Sequence, residues 1–394
     1  MGGMNIPPMA SRVADIEPFH VMDLFARARA LEAQGRRIIH MEIGEPDFPT
    51  PDPVLLAGIR ALAERRTHYT PATGLPALRE AIASHYRDVE GAAVDPECIV
   101  VTPGASGALQ LVLGVLFDPG DAVLLADPGY PCNRHLVRML EGRAVAVPVE
   151  ANTAWQLTPG RLAEHWGQRT RAALVASPGN PTGTLIPAAD LAAMAALAGE
   201  RGGALIVDEI YRGLVYETPP PTAAALGDNV FVVNSFSKYF GMTGWRLGWI
   251  VTPRTHLPAI DRLAQNLFLA APTPAQHAAL AAFAPETREI LERRREIYHK
   301  RRDFLVAALR ELGFGVAHVP QGAFYVYADC SAFTDDSEHF CKVLLERAGV
   351  AVTPGIDFGT HRSRTHVRFA YTTSMDALQE GVRRLARHLR DGAG

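Results

Sequence analysis

Cysteine is scarce in this sequence: Cys98, Cys132, Cys330 and Cys341 lie far apart and form no CxxC pair. That spacing argues against a disulfide-stapled scaffold or a thioredoxin-like redox motif, and it reads as buried or free thiols in a reducing cytoplasm. No apolar run reaches the ~18 residues a membrane-spanning helix needs. Met1 to Pro8 lack the basic-then-apolar layout of a secretory leader. An excess of one charge is also missing, since a net charge of -3 over 394 residues gives no argument for nucleic acid or an anionic membrane. The 14 histidines include no HExxH, so a structural zinc site is not expected. What remains is a chain long enough to bury a large core, 48% hydrophobic and 21% charged, without internal repeats or low-complexity stretches.

From residue 98 onward, short apolar runs alternate with helical patterns. Cys98–Val101, Ala122–Leu125, Ala172–Val175, Ala204–Val207, Val230–Val233 and Leu247–Val251 read as buried strands. Leu75–Val89 reads as an amphipathic helix with Pro76 in its first turn. This alternation predicts an α/β fold whose mostly parallel sheet is covered by helices. After residue 285 the texture changes to a charged helix over Glu286–Leu312, strands at Ala323–Ala328, Val350–Thr353 and His366–Ala370, and a last helix over Ser374–Leu389. A further helix, Val21–Gln34, precedes a proline-rich stretch. The expected division is an N-terminal segment 1–45, a large domain 46–285 and a small α+β domain 286–394 that the N-terminal segment joins.

In open α/β sheets ligands collect outside the carboxyl ends of strands, and the turns there carry unusual residues. Gly104-Ala105-Ser106 open a helix as an anion nest. Tyr130, in an Asp-Pro-Gly-Tyr-Pro turn, can stack on a heterocycle, and Asn180 is a neutral donor held between prolines. Asp208 ends a buried strand, where a carboxylate needs a cation or a donor, with Tyr211 three residues on. Lys238 follows Ser235-Phe236-Ser237, with Arg246 close behind, and suits a phosphorylated aldehyde: the amine forms a Schiff base while hydroxyls and guanidinium hold phosphate. Taken singly, each has a structural explanation such as a tight turn, an Asx turn, a helix cap or a buried tyrosine. Their coincidence at one sheet edge does not.

These motifs resemble the class I/II aminotransferase family of fold type I, over about Met41 to Tyr371. The resemblance implies pyridoxal 5'-phosphate bound to Lys238, which also carries the substrate proton, and Asp208 paired with the ring nitrogen. It implies Asn180 and Tyr211 on the ring oxygen, and Tyr130 stacked on the ring. Gly104, Ala105, Ser106, Ser235, Ser237 and Arg246 would hold the phosphate. Tyr69 would reach the phosphate of the neighbouring subunit, hence a homodimer. Arg368 would clamp the substrate α-carboxylate, helped by Gly44 and Asn180. The expected reaction is ping-pong transfer of an amino group between an L-amino acid and a 2-oxo acid.

One departure bears on substrate. Aspartate-preferring relatives hold the distal carboxylate with a lysine where this chain has Ser106, or with an arginine near Leu269–Pro272, where none occurs. A neutral or aromatic donor, such as alanine, is therefore expected. The alternatives are a C–S β-lyase, which uses the same carbanion, and a ligand-sensing regulator on the same fold. The regulator would need a DNA-binding segment for which the residues before Met41 leave no room.

Overall fold

The computed structural model describes residues 9–391, so the leader reading of Met1–Pro8 lies outside the described residues. The strands in chain order are β1 (Ile39–His40), β2 (Ile99–Thr102), β3 (Ala122–Asp127), β4 (Arg143–Pro148), β5 (Thr170–Ala176) and β6 (Ala204–Asp208). They continue as β7 (Val230–Ser235), β8 (Gly248–Val251), β9 (Tyr325–Asp329), β10 (Val350–Ala351), β11 (Thr353–Pro354) and β12 (His366–Ala370).

Seven strands form one sheet in the order β2-β8-β7-β6-β5-β3-β4. Only β8 runs antiparallel to its neighbours β2 and β7; the other adjacent pairs are parallel. The unbroken apolar runs in β2, β5, β6 and β7 follow from burial on both faces. One core layer includes Val101, Leu124, Val175, Leu205 and Val232, and the opposite layer Val100, Val123, Leu174, Ile206 and Phe231. Alternate residues of each strand thus face opposite helical layers.

A smaller α+β unit is built from both chain ends. Its antiparallel sheet has the order β11-β12-β9, beside the parallel pair β1–β10. A core containing Leu24, Leu31, Ile39, Leu305, Phe324, Phe369 and Leu385 joins the helices His20–Ala33, Pro285–Glu311 and Met375–Asp391 to these strands.

Three local expectations are corrected. Strand β4 was not anticipated: its apolar run Ala144–Val147 is short and lies at the sheet edge, where Val147 alone is fully buried. Val350–Thr353 is not one strand, because Val350–Ala351 pairs with β1 while Thr353–Pro354 pairs with β12. Cys98 lies outside β2, in the short helical turn Pro96–Cys98. No helix among the described residues is long and apolar enough to cross a membrane.

Candidate active site

Lys238 follows β7, and its Nζ donates to the Gly44 carbonyl at 2.7 Å. Burial pulls its pKa down to about 8; Glu45 opposes this, Arg368 and Arg246 add to it, and Asp208 opposes it. An amine with that value is partly neutral near pH 7, unlike an exposed lysine. The same charges locate the neighbours: Lys238 lies within electrostatic reach of Asp208, Arg246 and Arg368.

Asp208 ends β6, is 7% exposed, and accepts one hydrogen bond, from the Ile210 N–H at 3.0 Å. Among the described residues it forms no salt bridge. Burial raises its pKa to about 6, helped by Glu209 and opposed by Ile210 and Lys238. A buried carboxylate this poorly compensated is costly, and a cationic ring nitrogen would relieve it. Tyr211, just before a short helical turn, places its hydroxyl 2.8 Å from that of Tyr325.

Gly104 starts the helix Gly104–Leu116 at φ +72, and no side chain caps it, so first-turn N–H groups stay open to an anion. A Cβ on Gly104 would lie 2.7 Å from an Arg246 Nη, and one on Gly248 would lie 2.8–2.9 Å from the backbone of Gly104 and Ala105. Glycine at both positions lets β8, the helix start and the guanidinium converge. Ser237 donates its N–H to Ser235 Oγ at 3.1 Å, and Ser235 Oγ lies 2.9 Å from Ser237 Oγ and 3.1 Å from the Leu247 carbonyl. Ser235 thus braces Ser237. Ser106 and Arg246 are exposed.

Arg368 is 5% exposed on β12 and is not a surface ion pair. Its Nη atoms donate to Asn180 Oδ1 (2.9 Å), the Glu42 carbonyl (2.7 Å) and Thr353 Oγ1 (3.3 Å). Its Nε has no hydrogen-bond partner, and no carboxylate pairs with it among the described residues. The guanidinium lies 4.2 Å from the Tyr325 ring centroid and 4.8 Å from that of Phe358. Aromatic faces and carbonyls hold the cation, and the buried Asp357 carboxylate lies within electrostatic reach without forming an ion pair. Because Asn180 accepts through its carbonyl, its NH2 group remains available as a donor.

Tyr130 is 39% exposed beside Phe19, at 6.4 Å between ring centroids, and with Asn180, Trp155 and Phe358 it lines a cleft of about 1000 Å³. Tyr69 is 81% exposed in the single chain. Sequence reasoning missed Tyr325, Glu42, Thr353 and Phe358. Aromatic enrichment in Ala323–Ala328 was visible, but long-range contacts such as Tyr325 to Tyr211 leave no local pattern.

The family model "Aminotransferase class I and II" matches residues 36–385. A valine–pyruvate aminotransferase of Mycobacterium tuberculosis is 40% identical over 96% of this chain and 98% of its own. An aspartate/prephenate aminotransferase of Thermus thermophilus is 37% identical over 97% and 98%. Among solved structures, an aminotransferase from Mycobacterium tuberculosis superposes with TM-score 0.94 at 39% identity, covering 98% of this chain and 100% of that one. The Thermus thermophilus aspartate aminotransferase with maleate gives 0.91 at 36%, covering 97% and 100%. A buried amine and a buried acid at one edge of the large sheet, a buried arginine on the smaller sheet within electrostatic reach of that amine, and a family match over nearly the whole chain lead to one conclusion: the protein belongs to the class I and II aminotransferases.

Proposed function

We propose that this pyridoxal-phosphate-dependent aminotransferase moves an amino group from a neutral or aromatic L-amino acid to a small 2-oxo acid such as pyruvate. One observation carries the proposal: Arg368, buried without a carboxylate partner, faces the same cluster as Lys238. Bound pyridoxal phosphate supplies the electron sink that lets a Cα–H bond break. In this reading Asp208 keeps the ring nitrogen protonated, Asn180 and Tyr211 donate to the ring oxygen, and Tyr130 covers one ring face. Gly104, Ala105, Ser106, Ser235, Ser237 and Arg246 hold the phosphate. Arg368 binds the substrate α-carboxylate beside Gly44, and Lys238 takes the Cα proton and returns it to the cofactor carbon.

Three observations support a neutral side chain. Ser106 brings no cation to the nest, and Leu269–Pro272 contain no arginine. Arg134, which lines the cleft, is committed to the Asp357 carbonyl at 3.2 Å and lies 3.7 Å from Glu17. The valine–pyruvate relative supports the same choice; the aspartate-named relatives point the other way. The test is kcat/KM across amino donors with pyruvate as acceptor. A charged hydrogen bond is worth about 1.5–3 kcal/mol, so its absence predicts valine, alanine or phenylalanine ahead of aspartate by roughly tenfold or more. Aspartate as the best donor would refute the preference.

The proposal includes a homodimer in which Tyr69 completes the neighbour's phosphate site, and a cytoplasmic location, for which the four free cysteines are the only support.

A further inference from the structure

We propose that Tyr325 is a positioning residue that couples the substrate-carboxylate arginine to the tyrosine serving the cofactor ring. Its place follows from strand register: Arg368 sits opposite Tyr327 and Ala370 opposite Tyr325, so Tyr325 and Arg368 are diagonal neighbours on one face of the β9–β12 pair. From there the Tyr325 ring lies under the Arg368 guanidinium at 4.2 Å, and its hydroxyl lies 2.8 Å from that of Tyr211. The same hydroxyl occupies the place of a side chain at residue 44, since a Cβ on Gly44 would lie 1.9 Å from it. The carbonyl of Gly44 accepts from Lys238. One side chain therefore touches three parts of the site: the clamp Arg368, the donor Tyr211 and the residue that holds Lys238.

The coupling is a matter of proton direction. Tyr211 and Tyr325 are buried and remain phenols near neutral pH, because burial disfavours the charged form. When Tyr325 donates to Tyr211 oxygen, the Tyr211 proton is free to point at the cofactor ring oxygen. Without that donor, Tyr211 can rotate its proton elsewhere. The ring of Tyr325 serves separately as a face for Arg368.

This inference rests on the proposed contact of Tyr211 with the cofactor, so the experiment includes a control for that contact. The readout is the pH midpoint of the visible absorbance change of the holoenzyme. A donor to the ring oxygen draws off negative charge that otherwise holds the proton on the cofactor–lysine nitrogen, so weakening the donor raises the midpoint. Tyr325→Phe keeps the ring and leaves Asp208, Glu45, Arg246 and Arg368 around Lys238 in place. It is expected to raise the midpoint by roughly half a unit to one unit, with the KM for the amino donor changed less than about threefold. Tyr325→Leu, which also removes the ring, is expected to raise the midpoint similarly and KM by roughly tenfold. Tyr211→Phe is the control and should raise the midpoint at least as far. A shift in Tyr211→Phe with none in Tyr325→Phe overturns the coupling alone. No shift in either overturns the Tyr211 contact, and the coupling with it.

Discussion

His40 shows how a single side chain can support the site from outside it. Its Nδ1 lies 2.7 Å from Oε1 of Glu42, a residue with no exposed surface, and its Nε2 lies 3.2 Å from Glu32. The backbone carbonyl of Glu42 in turn accepts from Arg368. The hydrogen bond to Glu42 raises the His40 pKa, against a smaller opposing effect of burial. A raised folded-state pKa contributes stability that is complete below the unfolded value of about 6.5 and is lost as pH rises through the folded value. His40→Gln should therefore destabilise the protein by on the order of 1 kcal/mol at pH 6 and by clearly less at pH 9. Urea unfolding at fixed protein and cofactor concentration measures both; an equal or larger loss at pH 9 would contradict the linkage. At this scale the sequence was most legible where chemistry is local. Lys238, Asn180 and the Gly104 nest each stand in a turn soon after a strand, and Asp208 ends one. Glu42, Thr353 and Tyr325 were illegible because their roles depend on partners at separations such as 326, 15 and 114 residues.

Among elements, buried parallel strands and long helices declared themselves, since burial on both faces forces an unbroken apolar run. The edge strand Arg143–Pro148 and the two-residue strands of the smaller unit did not, because little of their surface is buried or too few residues set a period. The helix Asp52–Ala63 adds a different message. Leu55, Leu56, Ile59 and Leu62 are each at least 42% exposed, while Val54, Gly58 and Ala61 face inward. A helix with apolar residues on both faces usually has a second partner. Thr273 donates to the His68 carbonyl, which ties this neighbourhood to the loop carrying Tyr69. We expect this face to form the homodimer contact. Sedimentation should find the wild type dimeric, and Leu56→Glu with Ile59→Glu should shift it toward monomer with loss of cofactor retention. A dimer unaffected by the pair would place the contact elsewhere.

In the whole molecule, the two chain ends fold over the carboxyl edge of the large sheet and bring their own charges with them. Arg301 on the helix Pro285–Glu311 grips Asp47 through two bonds of 2.8 and 2.9 Å, and Asp357 accepts from the N–H groups of His20 and Val21 at 2.9 Å each. Gly44 and Arg368, which come from opposite ends of the chain, meet Lys238 and Asn180 of the large domain. The fold class could be read from motifs; the docking could not, because it is made by pairs hundreds of residues apart. The central claim is that one amine carries the cofactor. The chain has three lysines, Lys238, Lys300 and Lys342, of which the last two have side chains 70% and 60% exposed on helices. Borohydride reduction of the active holoenzyme followed by peptide mapping decides between them. The account predicts the cofactor mass on the Lys238 peptide alone; label on Lys300 or Lys342, with the Lys238 peptide unmodified, would contradict it.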